Sequence, residues 1–471
     1  MDKHKKLLSN TAILGAGTFT SKVLVFLLMP LYTALLSTEE FGTADILMQT
    51  SNLLIPLAAL GISDGLFRFT LEANGDSRKQ VFGNSLFIFA AGIIPLAVLI
   101  QLLRLFSIYN GYIWLVMAYI CFANIHSICA NYLRACDKTK VFALQGIINT
   151  VFTIILNVLF LVVFDMGVTG YVLSVAVSDL TVTLGLIIFC KLYRDVDFKL
   201  DKKLVGSMLK FSIPYIPTTL MWMITSASDR FIVTAYAGTA ENGLYAAAYK
   251  LPTLISLAGG VFIEAWQFSA VKDVNKEERA AFFGGVNRNY IGIMFMGTSL
   301  LVAMSKVLTV LLLDDAYYSS WQYVSVLGIA MVFSAFSAFM GSVYFLEKRS
   351  ARSLFTAAFG AVLNIALNFL LIPKQGAMGA AIATAISYMA VYVIRAIDSR
   401  KYLDFSLCLP RVAVNTVILI AQTVIMLLEV PYWIIWQSVT VVFMLVFNGR
   451  EIVKAVTDFL RRFLKNKQKN I

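Results

Sequence analysis

Apolar residues run in blocks of about 20 or more along this chain, broken by short polar stretches. The blocks fall at roughly 8–36, 41–69, 80–104, 112–133, 141–164, 168–190, 208–237, 242–270, 288–313, 320–346, 353–373, 376–394, 412–429 and 431–449. Each is long enough to carry a helix across hydrocarbon, where every backbone polar group must be satisfied internally. The pattern predicts an all-α integral membrane protein of about fourteen transmembrane helices, or twelve if the last two blocks do not cross.

Composition agrees with the pattern. Of 471 residues, 59% are hydrophobic and 14% charged, with mean hydropathy +0.78. A chain of this length facing water would carry more charge. The net charge of +12 raises nucleic acid as a partner. The basic residues are instead spread over many short loops, with no basic helix or aromatic-basic patch standing apart, so no nucleic acid is expected. The five cysteines lie in or beside apolar runs at no metal-ligand spacing and read as small buried hydrophobes. No cofactor or metal is implied. The opening "MDKHKKLLSNTAILGAGTF" is basic, then apolar to about residue 36, and is expected to stay as a helix rather than be cleaved.

Charge sets the orientation. With the N-terminus inside, most of the 39 Lys and Arg fall on cytoplasmic loops and the tail. Outer loops are short and acidic: Glu39 and Glu40, Asp165, Glu241, Asp314 and Asp315, Glu429. Both termini are therefore expected in the cytoplasm. Lys22, Arg68, Arg230 and Lys250 stay inside predicted spans.

The chain also repeats itself. "LNVLFLVVFDMGVTGYVLSVAVS" at 156–178 parallels "LNFLLIPKQGAMGAAIATAIS" at 367–387. Leu156-Asn157 answers Leu367-Asn368, and Gly167 and Gly170 answer Gly376 and Gly379. A weaker echo joins "LLSTEEFGTADIL" at 35–47 to "YAGTAENGLYAAA" at 236–248. Two six-helix lobes follow, 1–193 and 208–400, joined by a cytoplasmic linker at 194–207. Two appended helices occupy 401–450 and a basic tail 451–471. Such repeats are a transporter architecture, with the substrate site expected between the halves.

The repeat segment, "SDRFIVTAYAG", "NGLYAAAYKLP" and "LSTEEFGTADIL" together resemble the polysaccharide transporters, the oligosaccharide flippases of bacterial surface-glycan export. These belong to the multidrug/oligosaccharidyl-lipid/polysaccharide exporter superfamily. The resemblance spans essentially the whole chain. It implies two lobes, alternating access, a polyprenyl-diphosphate-linked oligosaccharide as cargo and a multi-pass place in the bacterial cytoplasmic membrane. A monomer is expected, with H+ or Na+ as a possible coupling cation.

Candidate chemistry lies in the ionisable residues at membrane depth. Such groups are costly in hydrocarbon and mark pathways or partners. Thr218, Trp222, Thr225 and Asp229 share one helix face, with Thr219, Ser226 and Arg230 beside it. Thr11, Gly15, Thr18 and Lys22 form a similar stripe. Asp229 and Arg230 point about 100° apart, so each is expected to find its opposite charge elsewhere. Lys22, Arg68, Arg230 and Lys250 are the candidate sites for an anionic head group; a structural ion pair between helices is the alternative for Arg230, snorkelling for Lys250, and snorkelling or pairing with Asp64 for Arg68. Asp64, Asp229 and Glu264 are candidates for ion coupling or counter-charge, and Asp179 is a further acid at depth. His126 and the stripe Gln145, Asn149, Thr153, Asn157 are read as interhelical packing. Asp195-x-Asp197 has no nucleotide-binding domain around it and is read as chance, and no phosphate-binding loop is present.

The leading expectation is therefore a flippase and not an enzyme. An ion-coupled multidrug or cation antiporter is the nearest alternative, though its cavity should be dominated by acids. A membrane glycosyltransferase or polymerase using Glu39 and Glu40 is the other, though no outer loop is large enough for an acceptor domain.

Overall fold

The computed structural model describes residues 26–270, 276–347 and 349–449. These are helical almost throughout, and no strand occurs among the described residues. Contacts divide the chain into two compact units, 1–246 and 247–471.

The first unit contains α1 (Met29–Leu35), α2 (Thr38–Ala58), α3 (Ile62–Glu72), α4 (Asp76–Gln101), α5 (Ile113–Ala135), α6 (Thr139–Asn157), α7 (Gly167–Phe189), α8 (Lys202–Ser212) and α9 (Ile216–Ala237). It closes with the start of α10 (Thr239–Ala270). Ser37 starts α2 with a capping box: its Oγ accepts from the Glu40 N–H at 3.2 Å, and the Glu40 carboxylate accepts from the Ser37 N–H at 2.9 Å. Glu40 thus serves the backbone, which weakens any reading of Glu39 and Glu40 as an acid pair for catalysis.

The block at 41–69 is not one straight helix. α2 and α3 meet at 45°, with Pro56 in the last turn of α2 and Leu60 and Gly61 both at positive φ. Proline removes a helical donor, and glycine accepts the left-handed turn that follows.

α6 shows how composition is inverted in lipid. Leu144, Ile148, Val151 and Ile155 are exposed at helical spacing, and Val158 and Val162 continue that face in the π-helical turn after α6 ends. The opposite stripe, Gln145, Thr153 and Asn157, is buried. The core of this unit joins Leu66, Phe82, Phe89, Leu133 and Met208 in one cluster, with Phe82 stacked on Tyr132 at 4.3 Å. A second cluster joins Leu47, Leu96, Leu115 and Val172.

The second unit holds the rest of α10, then α11 (Lys276–Ala303), α12 (Ser305–Leu312), α13 (Trp321–Leu346), α14 (Ser350–Ser399), α15 (Leu409–Leu427) and α16 (Trp433–Gly449). α11 and α12 bend by 65° where a single span was expected. α13 is its central helix, packed through Phe333, Phe336 and Phe339 against Tyr290, Phe295 and Tyr392. Lys306 pairs with Glu429 and lies over Trp321 at 4.3 Å and Trp433 at 4.6 Å. That cation–π cage fastens the appended helices to the unit.

α14 is broken at Gly376, whose φ of 56° and ψ of −139° no helix accommodates. Gly167 in the first unit also sits at positive φ, 52°, between its paired helices. Both repeated glycines thus take a positive φ, which glycine adopts without the strain a side chain would bring.

Among the described residues, seven helices are long and apolar enough to cross a bilayer, or nine if each bent pair counts as one span. Fusing a reporter to the C-terminus is expected to give cytoplasmic signal, as is a fusion within 194–207. An external C-terminus would require an odd number of crossings and would undo the topology read from charge.

Candidate functional site

A cavity of 280 Å³ opens at the α2–α3 bend, within the 1–246 unit. The bend supplies it directly: Ile55, Pro56, Ala59, Gly61, Ser63 and Asp64 line one side. α5 contributes Asn124, Ser127 and Asn131, and α9 contributes Ile216, Thr219 and Met223. Ser127 donates to Ser63 at 3.2 Å, and Asn124 donates at 3.2 Å to the Ile55 carbonyl near the break, which also accepts from the Ala59 N–H. Asn52, also in the lining, accepts from Tyr119 at 3.3 Å. Amides and hydroxyls therefore predominate among the polar groups, and Asp64 is the one charged residue in the lining. Such a surface can offer donors and acceptors together to a hydroxyl-rich ligand.

A second focus is a buried charge cluster where α2, α9 and α10 meet. Arg230 Nε lies 2.9 Å from Asp45 Oδ2 on α2, a charge contact whose N–H is not aligned for a hydrogen bond. Its other arm is 3.7 Å from Asp229. Asp229 accepts the Arg230 backbone N–H at 2.9 Å and the Tyr245 hydroxyl at 2.5 Å. The Arg230 guanidinium lies over the Tyr245 ring at 5.9 Å. Asp229 and Tyr245 are 0% exposed, Arg230 5% and Asp45 7%. As expected, Arg230 finds its closer acid on another helix; Asp229, expected to find its opposite charge elsewhere too, is instead compensated by Arg230 itself, with Tyr245 supplying the second helix's contact. Asp45 and Tyr245 were not singled out from sequence. The signal that could have marked Asp45 is its spacing with Gln49 and Asn52, at i, i+4 and i+7 on one face of α2, where Gln49 donates to Asp45 at 3.3 Å.

The other predicted residues are dispersed. Arg68 on α3 is exposed; it pairs with Glu72 at 3.4 Å rather than with Asp64, and covers the Phe211 ring at 4.6 Å. The reason is direction: Asp64 points into the cavity, while Arg68 reaches forward along α3. Lys250 is half-buried on α10, in the second unit. Lys22 lies outside the described residues, as do the side chains of Glu264, Thr218, Trp222 and Ser226. His126 is an interhelical histidine, bonded to Gln145 and paired with Asp179. Among the described residues, no group of three metal-ligating side chains occurs.

The long apolar helices and this polar interior define a multi-pass, all-α membrane protein. The sequence profile described as "Polysaccharide biosynthesis protein" matches residues 7–266, more than half of the chain, and the chain belongs to that family. An uncharacterized membrane protein of Methanocaldococcus jannaschii is 23% identical over 414 residues, covering 79% of this chain and 93% of that one. Among solved structures, the lipid II flippase MurJ in an inward closed conformation aligns with a TM-score of 0.72 at 14% identity, covering 94% of this chain and all of that one. An inward-facing multidrug resistance MATE family transporter of the MOP superfamily aligns at 0.63 and 15% identity, covering 84% and 95%. The chain therefore shares the fold of this superfamily, whose aligned members are transporters rather than enzymes.

Proposed function

We propose that this chain is a flippase moving a polyprenyl-diphosphate-linked oligosaccharide across the bacterial cytoplasmic membrane by alternating access, from two lobes made by the duplicated unit at 1–193 and 208–400. The observation that carries the reading is the amide- and hydroxyl-lined cavity at the α2–α3 bend, inside a helix bundle whose outer faces are apolar. Sugar hydroxyls and a diphosphate do not cross hydrocarbon unaided. Polar groups that replace water hydrogen bonds lower that barrier while the lipid tail stays in the bilayer. Family membership in polysaccharide biosynthesis supports the same cargo class. Arg230, with Lys250, Lys22 and Arg68, is the proposed contact for the diphosphate, and Asp45 and Asp229 hold Arg230 when no cargo competes.

One observation favours a second reading. Asp64 is the one charge in the cavity lining, as an organic-cation antiporter would require. Protein reconstituted in vesicles separates the two. Transfer of a labelled polyprenyl-diphosphate oligosaccharide between leaflets, with no counter-transport of ethidium, is expected. Ethidium transport without glycan transfer would overturn the flippase. In the same assay, Asp64→Asn combined with Glu264→Gln is expected to flatten the pH dependence, because a carboxyl at membrane depth is costly to keep ionised. Wild-type pH dependence in the double variant would reduce these acids to counter-charges.

A further inference from the structure

A buried polar network on the far side of α5 takes no part in the cavity. His126 lies about 20 Å along α5 from its first residue and about 13 Å from its last, at 1.5 Å per residue, which puts it deep in the membrane. Its Nε2 is 2.6 Å from Gln145 Oε1 on α6, and its Nδ1 is 3.3 Å from Asp179 Oδ1 on α7. The His126 and Asp179 side chains are 14% and 10% exposed. Asn149 donates to Asp179 Oδ1 at 2.8 Å, and the Ser178 hydroxyl donates back to the Asn149 side chain and, at 2.7 Å, to its main-chain carbonyl. Three helices are thus tied to one imidazole and one carboxylate.

The acceptors around the ring are informative. Both ring nitrogens face oxygen, so the arrangement suits an imidazolium that donates from each. Gln145 is the exception that makes the site reversible. Rotating its amide by half a turn presents NH₂ in place of the carbonyl, which suits a neutral ring accepting at Nε2. Asp179 keeps its donor from Asn149 in either state. Gain of a proton gives a neutral His126–Asp179 pair; loss leaves a net charge of minus one on a buried carboxylate. A lone carboxylate at that depth favours any conformation that lets water or a cation reach it.

We propose that His126 with Asp179 is a proton-binding site inside the 1–246 unit, loaded in one conformation of the transport cycle and emptied in another. This rests on the transporter reading above. It differs from the Asp64 hypothesis in place and in chemistry: the titrating group is the imidazole, with the Asp179 carboxylate as its partner. The other titratable and charged groups on the helices around it are differently engaged. Tyr119, two turns along α5, is within electrostatic reach of Asp179 and donates to Asn52. Asp64 on α3 faces the cavity beside Ser127, and Asp45 on α2 pairs with Arg230. Asp76, Arg78 and Lys79 lie in the first turn of α4, and Lys140 in the first turn of α6.

The chain has two histidines, so His4→Gln leaves His126 as the single one. Nitrogen-15 histidine spectra of that full-length protein in lipid nanodiscs, from about pH 5 to about pH 9, are expected to show His126 passing between imidazolium and neutral imidazole. Asp179→Asn is expected to remove the imidazolium signal near neutral pH. Hydrogen–deuterium exchange of α6 and α7 is expected to differ between the ends of that range, and His126→Gln to abolish the difference. A ring that stays in one state throughout overturns the proposal. So does an exchange difference that survives His126→Gln. Ring signals that respond to sodium replacing potassium at fixed pH, but not to pH, would assign the site to a metal cation instead. None of these measurements involves a glycan, so failure of the flippase reading would be seen separately.

Discussion

Arg230→Ala is expected to abolish glycan export and to lower the amount of folded protein in the membrane. The substitution leaves Asp45 and Asp229 buried without the guanidinium that compensates them. Removing one partner of a buried ion pair costs about 3–5 kcal/mol, a large part of a typical folding free energy. The structural and cargo roles separate in the double variant Asp45→Ala/Arg230→Ala, which removes one of the two stranded carboxylates together with the arginine. Tyr245 still donates to Asp229 there, so one carboxylate keeps a hydrogen bond. The expected result is recovery of membrane abundance without recovery of export, because the arginine fork that matches phosphate oxygens is still missing. Arg230→Lys is expected to restore export only in part, since an ammonium cannot reproduce the fork. Export at the wild-type level in the double variant would sink the cargo role and leave Arg230 as a fastener between α2 and α9. Abundance by immunoblot and export by surface-glycan detection are the two readouts.

The parts of this molecule that follow from local chemistry were legible in the sequence. Apolar blocks gave the helices, and the positive φ at Gly167 and Gly376 lies where the repeated glycines stand. The inward polar stripe of α6 was visible as Gln145, Asn149, Thr153 and Asn157 at helical spacing. The bends were less so. Pro56 and Gly61 are the punctuation that marks the α2–α3 break, yet apolar residues on both sides carry the hydropathy through it. The 65° bend before Ser305 carries neither proline nor glycine at its break, so no local signal announces it. The site was legible only by halves. Arg230 and Asp229 stood out as charges in an apolar run. Asp45 was marked only by its spacing with Gln49 and Asn52; its pairing with Arg230, distant in sequence, was not legible. The cavity's asparagines, Asn52, Asn124 and Asn131, come together only after α2 bends and α5 packs beside it. Asn124, Ser127 and Asn131 do share one face of α5 at i, i+3 and i+7, so that side of the cavity left a trace; its meeting with Asn52 and Asp64 depends on the α2–α3 bend and did not.

The weaker sequence echo has a physical counterpart, and it yields the second large effect. Thr38, Glu40 and Gly42 match Thr239, Glu241 and Gly243, and in the structure the two copies of the motif pack on each other. A methyl group built at Gly42 would fall 1.9 Å from the Thr239 carbonyl oxygen, and one at Gly243 would fall 1.8 Å from the Thr38 carbonyl oxygen. The contacts are reciprocal, as a local twofold relation between the copies requires. Asn242, fully buried, donates to the Gly42 carbonyl at 3.1 Å across the same crossing. Both obstructing atoms are backbone, so neither can rotate aside as a side chain would. Overpacking usually costs about 1–3 kcal/mol, and a clash with main chain belongs at or above the top of that range. Gly42→Ala and Gly243→Ala are each expected to lower the Tm of purified protein and its membrane abundance, and to do so by separating the ends of α2 and α10. Gly146→Ala, at a helical position where a built methyl group meets nothing within 4 Å, is the matched control and is expected to be neutral or mildly stabilising, since alanine favours helix over glycine. Loss of the crossing also loosens the helices that hold Asp45 and Tyr245 against Arg230. The alanine variants should therefore make Arg230→Ala less additive than two distant substitutions would be. If Gly42→Ala and Gly243→Ala behave like Gly146→Ala, the two motif copies do not meet as closely as their glycines allow, and the echo in the sequence has some other origin.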